Sequence, residues 1–290
     1  MKKDIKVEVT KQIIAKLEGA LSGQFEMPFK SFASGQPHNV KSGKAYRGIN
    51  VMITMMAGFA SPVWGTYKQW AERGAQVRGG EKATTIVFWK PIEKRDKDTG
   101  EKTRFMLARA YNVFNAEQVD GYEQPAPVVL VDEVEASGIA DVFFAAQGVT
   151  EKTAAGRAFY SPAGNFVSLP ARDHFHATST SSVTDAYYST KAHEYTHATG
   201  HPSRLDRELG GRFGGEGYAF EELVAELGAA MIMSHLGLNA AVRDDHAKYI
   251  KSWIKVLKDD TNAIFSAASK AQAALDWMVE QQPIEIEEAA

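Results

Sequence analysis

His193-Glu194-Tyr195-Thr196-His197 has the spacing H-E-x-x-H. In a helix, residues four apart lie on one face, so both imidazoles can reach a single Zn2+. The Glu beside the first His is placed to take a proton from a water on that ion. Ala192, Tyr195 and Ala198 supply apolar or half-apolar positions at helical spacing, and Gly200 with Pro202 supplies a stop. The bland alternative is a helix with two solvated or core-satisfied histidines. A catalytic zinc keeps three protein ligands and a water, and the chain has no cysteine, so a carboxylate should complete the set. Residues 220–230 offer two acids on one face, Glu222 and Glu226. Leu223, Val224, Leu227, Ala230 and Met231 make that segment apolar around much of its circumference, and buried acids need a cation. Glu222 is the first choice as third ligand, with Glu226 bracing a ligand His. The reverse assignment stays open. Zn2+ is the expected ion, and another divalent metal such as Mn2+ is the alternative.

The elements that must position these residues follow from periodicity. The lead-in to the motif predicts a helix over residues 186–199, and the paired acids sit on a second helix. Residues 159–169 read as two strands turning at Pro162-Ala163-Gly164-Asn165. Their edge either pairs with an extended substrate or is scaffold. Helices are expected over residues 132–145, 244–257 and 260–279, with Tyr249, Ile250 and Trp253 on an inward stripe. An apolar strand is expected at residues 128–131. Nearer the start, residues 5–22 form an amphipathic helix through Val9, Ile13, Ile14, Leu17 and Leu21, closed by Gly23. Asn50 is placed to cap a helix at residues 51–58, and Thr66 one at residues 67–73. Strands at 84–90 and 104–114 flank a charged turn at 94–100. The reading is α+β in two domains. Residues 1–121 form a small α+β domain with an antiparallel sheet, 122–127 a linker, and 128–290 the domain with the metal motif.

Composition bounds the rest. A chain of 290 residues with 44% hydrophobic and 24% charged content is globular, and its lack of cysteine excludes disulfides and Cys-ligated zinc. The start lacks the apolar core of a signal peptide, and no apolar run is long enough to span a membrane. A cytoplasmic location and no membrane partner are expected. The net charge of -3 hides an asymmetry: residues 1–120 hold 20 Lys/Arg against 12 Asp/Glu, and residues 121–290 hold 13 against 24. The basic half interleaves Trp64, Tyr67, Trp70, Phe88, Trp89 and Tyr111 with cations. A basic groove with stacking rings holds single-stranded DNA without sequence preference. The candidate contacts are Lys44, Tyr46, Arg47, Trp64, Lys68, Arg73, Arg78, Lys82, Trp89 and Lys90. Several of the rings must instead be core.

Several stretches together resemble the ArdC antirestriction family, which includes the N-terminal region of TraC-type primases. They are Asn39 to Lys44, Tyr46-Arg47-Gly48-Ile49-Asn50, Trp64-Gly65-Thr66-Tyr67-Lys68-Gln69, Val77-Arg78-Gly79-Gly80-Glu81-Lys82 and Val87-Phe88-Trp89-Lys90. His193–His197 with Gly200-His201-Pro202-Ser203-Arg204-Leu205, then Glu221–Ala230 and Tyr249-Ile250 with Trp253, complete the set. The resemblance implies a single-stranded-DNA-binding N-terminal domain joined to a zincin-like metallopeptidase domain. It also implies protection of conjugatively transferred plasmid DNA from restriction. Glu222, Ala225, Glu226 and Ala229 look like the third-ligand helix of gluzincin peptidases, with Glu226 where those often carry Asp. On this reading His193, His197 and Glu222 hold the metal, Glu194 is the general base, and the protein substrate is unknown. Tyr187, Tyr188, His201 and Arg204 are candidate oxyanion donors. The rival reading is a DNA-coating protein whose metal is structural or regulatory.

Overall fold

In the computed structural model the described residues are 4–22, 35–95, 102–123, 133–153, 156–178, 181–209, 215–240 and 246–283. The N-terminal half runs α1 (Ile5–Ser22), β1 (His38–Asn39), α2 (Ile49–Met56), β2 (Val63–Gly65), α3 (Tyr67–Ala71), β3 (Gln76–Val77), β4 (Thr84–Arg95), β5 (Lys102–Asn115) and β6 (Val119–Asp120). The C-terminal half runs α4 (Glu133–Ala145), β7 (Thr150–Thr153), β8 (Phe159–Ser161), β9 (Phe166–Leu169), α5 (Val183–Thr199), α6 (Glu216–His235), α7 (His246–Asp259) and α8 (Ala263–Glu280). The fold is α+β, as read from the residue pattern. The expected strand at 128–131, the closing Gly23 and most of the linker lie outside the described residues. Among the described residues no helix is long and apolar enough to cross a membrane.

The N-terminal sheet is mixed, not purely antiparallel. Its order is β1-β2-β5-β4, and the two-residue β1 runs parallel to β2. β4 and β5 pair over their whole length, from Thr84 opposite Val113 out to Arg95 opposite Lys102. They continue past the strands expected at 84–90 and 104–114, into the stretch read as a charged turn. Asn50 does not cap α2; Gly48 holds that position. The Asn50 amide instead brackets Val87, donating to its carbonyl and accepting from its N–H at 2.8 Å each. That clamp fixes the base of the β4–β5 ribbon, since an isolated two-stranded hairpin is barely stable in water. Thr66 caps α3 as expected, in a reciprocal box with Gln69.

Helix α1 belongs to the C-terminal packing despite its place in the chain. It lies against α7, and Thr10 donates to the Thr261 carbonyl at 2.9 Å. α2 packs on α8, and one apolar core takes in Val9, Ile13, Met52, Val87, Trp253, Ile264 and Met278. The boundary near residue 121 therefore separates sequence segments that share a core.

The second sheet, β7-β9-β8, leaves β8 at its edge. Its turn carries Asn165 at φ 49°, where a short polar side chain tolerates left-handed backbone. Behind it α5 packs against α6, and α6 against α8, whose buried Ala267, Ala268, Ala271 and Ala274 let the helices approach. α5 begins at Ser182, which accepts from the Asp185 N–H at 3.0 Å in a capping box. The α5–α6 contact is closest at Gly228: a Cβ there would meet Thr196 Cγ2 at 2.5 Å. Gly228→Ala should therefore force the two helices apart and cost about 1–3 kcal/mol by overpacking. Urea denaturation measures the loss, and an unchanged midpoint would show that the contact tolerates a methyl group.

Candidate metal centre

α5 and α6 bring His193, His197 and Glu222 together, with one ligand atom from each lying within 4.8 Å of the others. The two Nε2 atoms are 3.1 Å apart, and each lies 3.5 Å from a Glu222 carboxylate oxygen. A tetrahedral ion with arms of about 2.0–2.1 Å has ligand–ligand edges of about 3.3 Å, so the His–His edge fits, and Glu222 sets one carboxylate oxygen beside each imidazole. The outer ring nitrogens are committed elsewhere. His193 Nδ1 lies 2.9 Å from Glu226, and His197 Nδ1 lies 3.3 Å from Glu221. Glu221 holds the Nδ1–H tautomer of His197 and leaves its Nε2 toward Glu222, while Glu226 stands within ion-pair distance of His193 Nδ1. Two lone pairs at 3.1 Å repel unless a proton or a cation sits between them. Of the two acids in question, Glu222 lies beside both Nε2 atoms and Glu226 beside His193 Nδ1.

Glu221 and Arg207 carry no mark in the residue pattern. Arg207 is 8% exposed, and its Nη2 donates to Glu221 at 2.8 Å and to the Thr196 carbonyl at 2.6 Å. Its other amino group donates to Thr199 Oγ1 at 2.7 Å. After α5 the chain doubles back, with the Leu205 N–H donating to the Thr199 carbonyl and the Arg207 N–H to the Gly200 carbonyl. That return carries Arg207 beneath the His197–Glu221 pair. No local periodicity marks such a residue; only a charged residue following a helix stop hints at it.

The electrostatics follow from burial and partners. Burial pulls the His197 imidazole down, but Glu221 and Glu222 outweigh it and lift it to about 10. Burial raises Glu222, yet both imidazoles hold it well below the usual carboxylate range. Glu221 is likewise lowered against its burial by His197 and Arg207.

The site opens on a cleft of about 1040 Å3 lined by Phe159, Tyr160, Glu194, Tyr218 and Tyr249 as well as the three ligand candidates. Glu194 is 4% exposed and sits on the α5 face that borders the cleft. The expected oxyanion donors do not line it. The Tyr188 hydroxyl donates to Asp141, Arg172 lies over the Tyr187 and Tyr188 rings, His201 is bound to Ser203, and Arg204 donates to Asn165 and the Ala198 carbonyl. Tyr218 and Tyr249 line it instead, with hydroxyls 3.3 Å apart. Tyr249, read as core, presents its polar tip to the cleft.

The candidate DNA contacts are spread over several elements. Trp64 is fully buried, so its ring cannot stack on a base; it fills the core with Ile86 and Val113. Trp89 is half-buried edge-on against Phe265, and Tyr46 is half-buried beside Asn39. Arg47 is ion-paired to Asp276, and Arg78 to Glu81 and Asp120. Lys44, Lys68, Arg73, Lys82 and Lys90 are exposed. Lys82 borders a cavity beside α1 and α2, and Arg73 a different one beside Tyr122, so these cations do not line one groove. Among the described residues the exposed rings of this half are Tyr67, Phe88, Phe105 and Tyr111.

Comparison with known proteins covers both halves. Residues 3–114 match the N-terminal domain of anti-restriction factor ArdC, and residues 139–270 match a zincin-like metallopeptidase family. The crystal structure of the antirestriction protein ArdC from plasmid R388, metal-free, superimposes with a TM-score of 0.78 at 38% identity, over 97% of this chain and 98% of that one. The Mn(II)-bound structure of the same protein gives 0.73 at 37% identity, over 98% and 100%. The uncharacterised protein y4eC of Sinorhizobium fredii is 42% identical over 96% of this chain and 92% of its own. DNA primase TraC of Escherichia coli is 37% identical over 99% of this chain, which spans 28% of the primase.

Two outcomes follow from this geometry. Arg207→Met strands the buried Glu221 charge and should cost about 3–5 kcal/mol of stability. It should also weaken divalent-metal binding by roughly 10–100-fold through the loosened His197. Calorimetric titration with Mn2+ checks the second effect, and unchanged affinity would remove Arg207 from the site. The pH dependence has a definite sign. The raised His197 contributes stability fully present below 6.5 and lost as pH climbs through about 10, whereas the lowered Glu221 and Glu222 contribute stability lost as pH falls below 4.5. Chelator-treated protein should therefore melt at lower temperature as pH rises from 6.5 to 10. Saturating Mn2+, which needs a neutral imidazole, should flatten that slope.

Proposed function

The chain belongs to the ArdC antirestriction family, and from that premise we propose that it protects transferred plasmid or mobile-element DNA by two activities. The N-terminal half binds single-stranded DNA, and the C-terminal half is a metallopeptidase. The match to a zincin-like domain supports the second, and the convergence of His193, His197 and Glu222 beside Glu194 carries it. These three side chains would hold Zn2+ or Mn2+; plasmid R388 ArdC has a Mn(II)-bound structure. A divalent ion there supplies positive charge that makes water more acidic and polarises a carbonyl.

The chain's own residues supply the rest. Glu194, buried at the edge of the cleft, takes the proton of the attacking water and passes it to the leaving amine. Tyr218 and Tyr249 turn hydroxyls toward the cleft and donate to the oxygen that gains charge. The edge strand β8 contributes Phe159 and Tyr160 to the cleft wall, and its free edge offers backbone groups to an extended peptide. Glu226 and Glu221 keep the imidazoles in register, and Arg207 keeps Glu221 charged.

Glu194→Gln tests this reading, because it removes the base and keeps the shape. Turnover of dye-labelled casein should fall by on the order of 10^2–10^4, the usual worth of a general base, with Mn2+ stoichiometry unchanged. A variant that retains full activity refutes the base assignment. In cells, undiminished restriction protection by the same variant would assign the antirestriction effect to DNA binding alone.

A further inference from the structure

The β4–β5 ribbon has two unlike faces. Residues opposite one another in an antiparallel pair point to the same side, and the side alternates along each strand. One face therefore carries Ile86 with Tyr111, Phe88 with Arg109, Lys90 with Leu107, and Ile92 with Phe105. The other carries Val87 with Ala110, Trp89 with Ala108, Pro91 with Met106, and Glu93 with Arg104, Met106 being 55% exposed. This second face is the packed one near the base: Val87 is buried, and Trp89 meets Phe265 and the Lys6 ammonium. Farther out Lys102 and Arg104 share Glu93 as their ion-pair partner.

The first face is also covered at its base, where Ile86 is buried beside Trp64 and Val113, but beyond that its rings are exposed. Phe88 is 56% exposed, Phe105 44% and Tyr111 42%. Phe88 and Tyr111 meet edge to face, with centroids 6.0 Å apart, which holds both rings upright on the sheet. Aliphatic side chains and two cations separate these rings: Lys90 and Arg109 are exposed, and among the described residues neither has an ion-pair partner. The pairs from Ile86–Tyr111 to Ile92–Phe105 include no acid. Exposed rings at this density on one short ribbon are a liability unless something lies on them.

We propose that this face, with Tyr111, Phe88 and Phe105 as the stacking rings and Lys90 and Arg109 as the phosphate contacts, is where single-stranded DNA lies. The proposal rests on the single-stranded-DNA reading of the N-terminal half and gives it a location. Same-face positions recur about every 7 Å along a strand, which intersperses the three rings with Lys90 and Arg109 at a spacing suited to the bases and phosphates of an extended strand. Duplex DNA fits poorly, because its bases are already stacked and hide their faces. The Trp64, Arg47 and Arg78 side chains play no part, being buried or ion-paired.

The test is fluorescence anisotropy of labelled oligo(dT) with the full chain. The double variant Phe88→Ala/Tyr111→Ala should bind at least about 25-fold more weakly, taking about fivefold as the lower bound for each stacked base. Tyr111→Phe keeps the ring and should bind like the wild type. Arg109→Gln removes one cation from the phosphates and should make the log–log salt slope shallower by about 0.7, whereas Arg104→Gln on the opposite face should leave it unchanged. Tyr111→Trp places a reporter on the face, and its emission should be quenched by oligo(dT). If the wild type binds and the double variant matches it, with the reporter unquenched, the ribbon face is overturned while the DNA-binding reading survives. If the wild type does not bind oligo(dT), both fall.

Discussion

Four buried carboxylates crowd one end of the α5–α6 interface: Glu194, Glu221, Glu222 and Glu226 are each at most 6% exposed. Among the described residues the buried Arg207 guanidinium and the imidazoles of His193 and His197 stand against them. Desolvated charges are tolerable only when matched, and here the negative side is in excess. A divalent cation between the Nε2 atoms and Glu222 corrects most of that imbalance. The need for positive charge at this point explains the lifted His197, the lowered Glu222 and the carboxylates that orient both rings. It also explains why the helices approach so closely at Gly228, since slack there would move Glu222 away from both imidazoles.

The same packing joins the two halves of the chain. α8 touches α2 on one side and α6 on the other, while α1 crosses to α7. Trp89 at the ribbon base meets Phe265 on α8, and Arg47 meets Asp276 on the same helix. The ribbon and the ligand helix α6 therefore share α8 as a common neighbour. The sheet carrying the ribbon and the helices carrying the ligands fold around one core, and neither half owns its hydrophobic face alone.

Much of the site could be read from residue spacing because it lies on two regular helices. His193 and His197 sit one turn apart, and Glu222 and Glu226 repeat that interval, so periodicity alone puts the right atoms on facing sides. Glu221 and Arg207 escaped because their pairing depends on a loop that doubles back, and a return path has no period. Alternation shows that strand rings face two sides but not which side is covered. Trp64 accordingly looked available and is core, whereas Phe88 and Tyr111 are the exposed rings. The amphipathic stripe of α1 was plain, but a stripe does not say which neighbour it will meet. Asn50 looked like a cap, since its position before an apolar run fits one; the structure uses its amide across the chain to hold Val87.

Anomalous diffraction from crystals soaked in Mn2+ would decide whether a cation sits where these buried charges call for one. A single strong peak is expected within roughly 2.0–2.2 Å of His193 Nε2, His197 Nε2 and a Glu222 oxygen, with Glu226 and Glu221 touching the rings and not the ion. A peak bound by Glu226 in place of Glu222, or no peak between the two imidazoles at saturating metal, would rule that arrangement out.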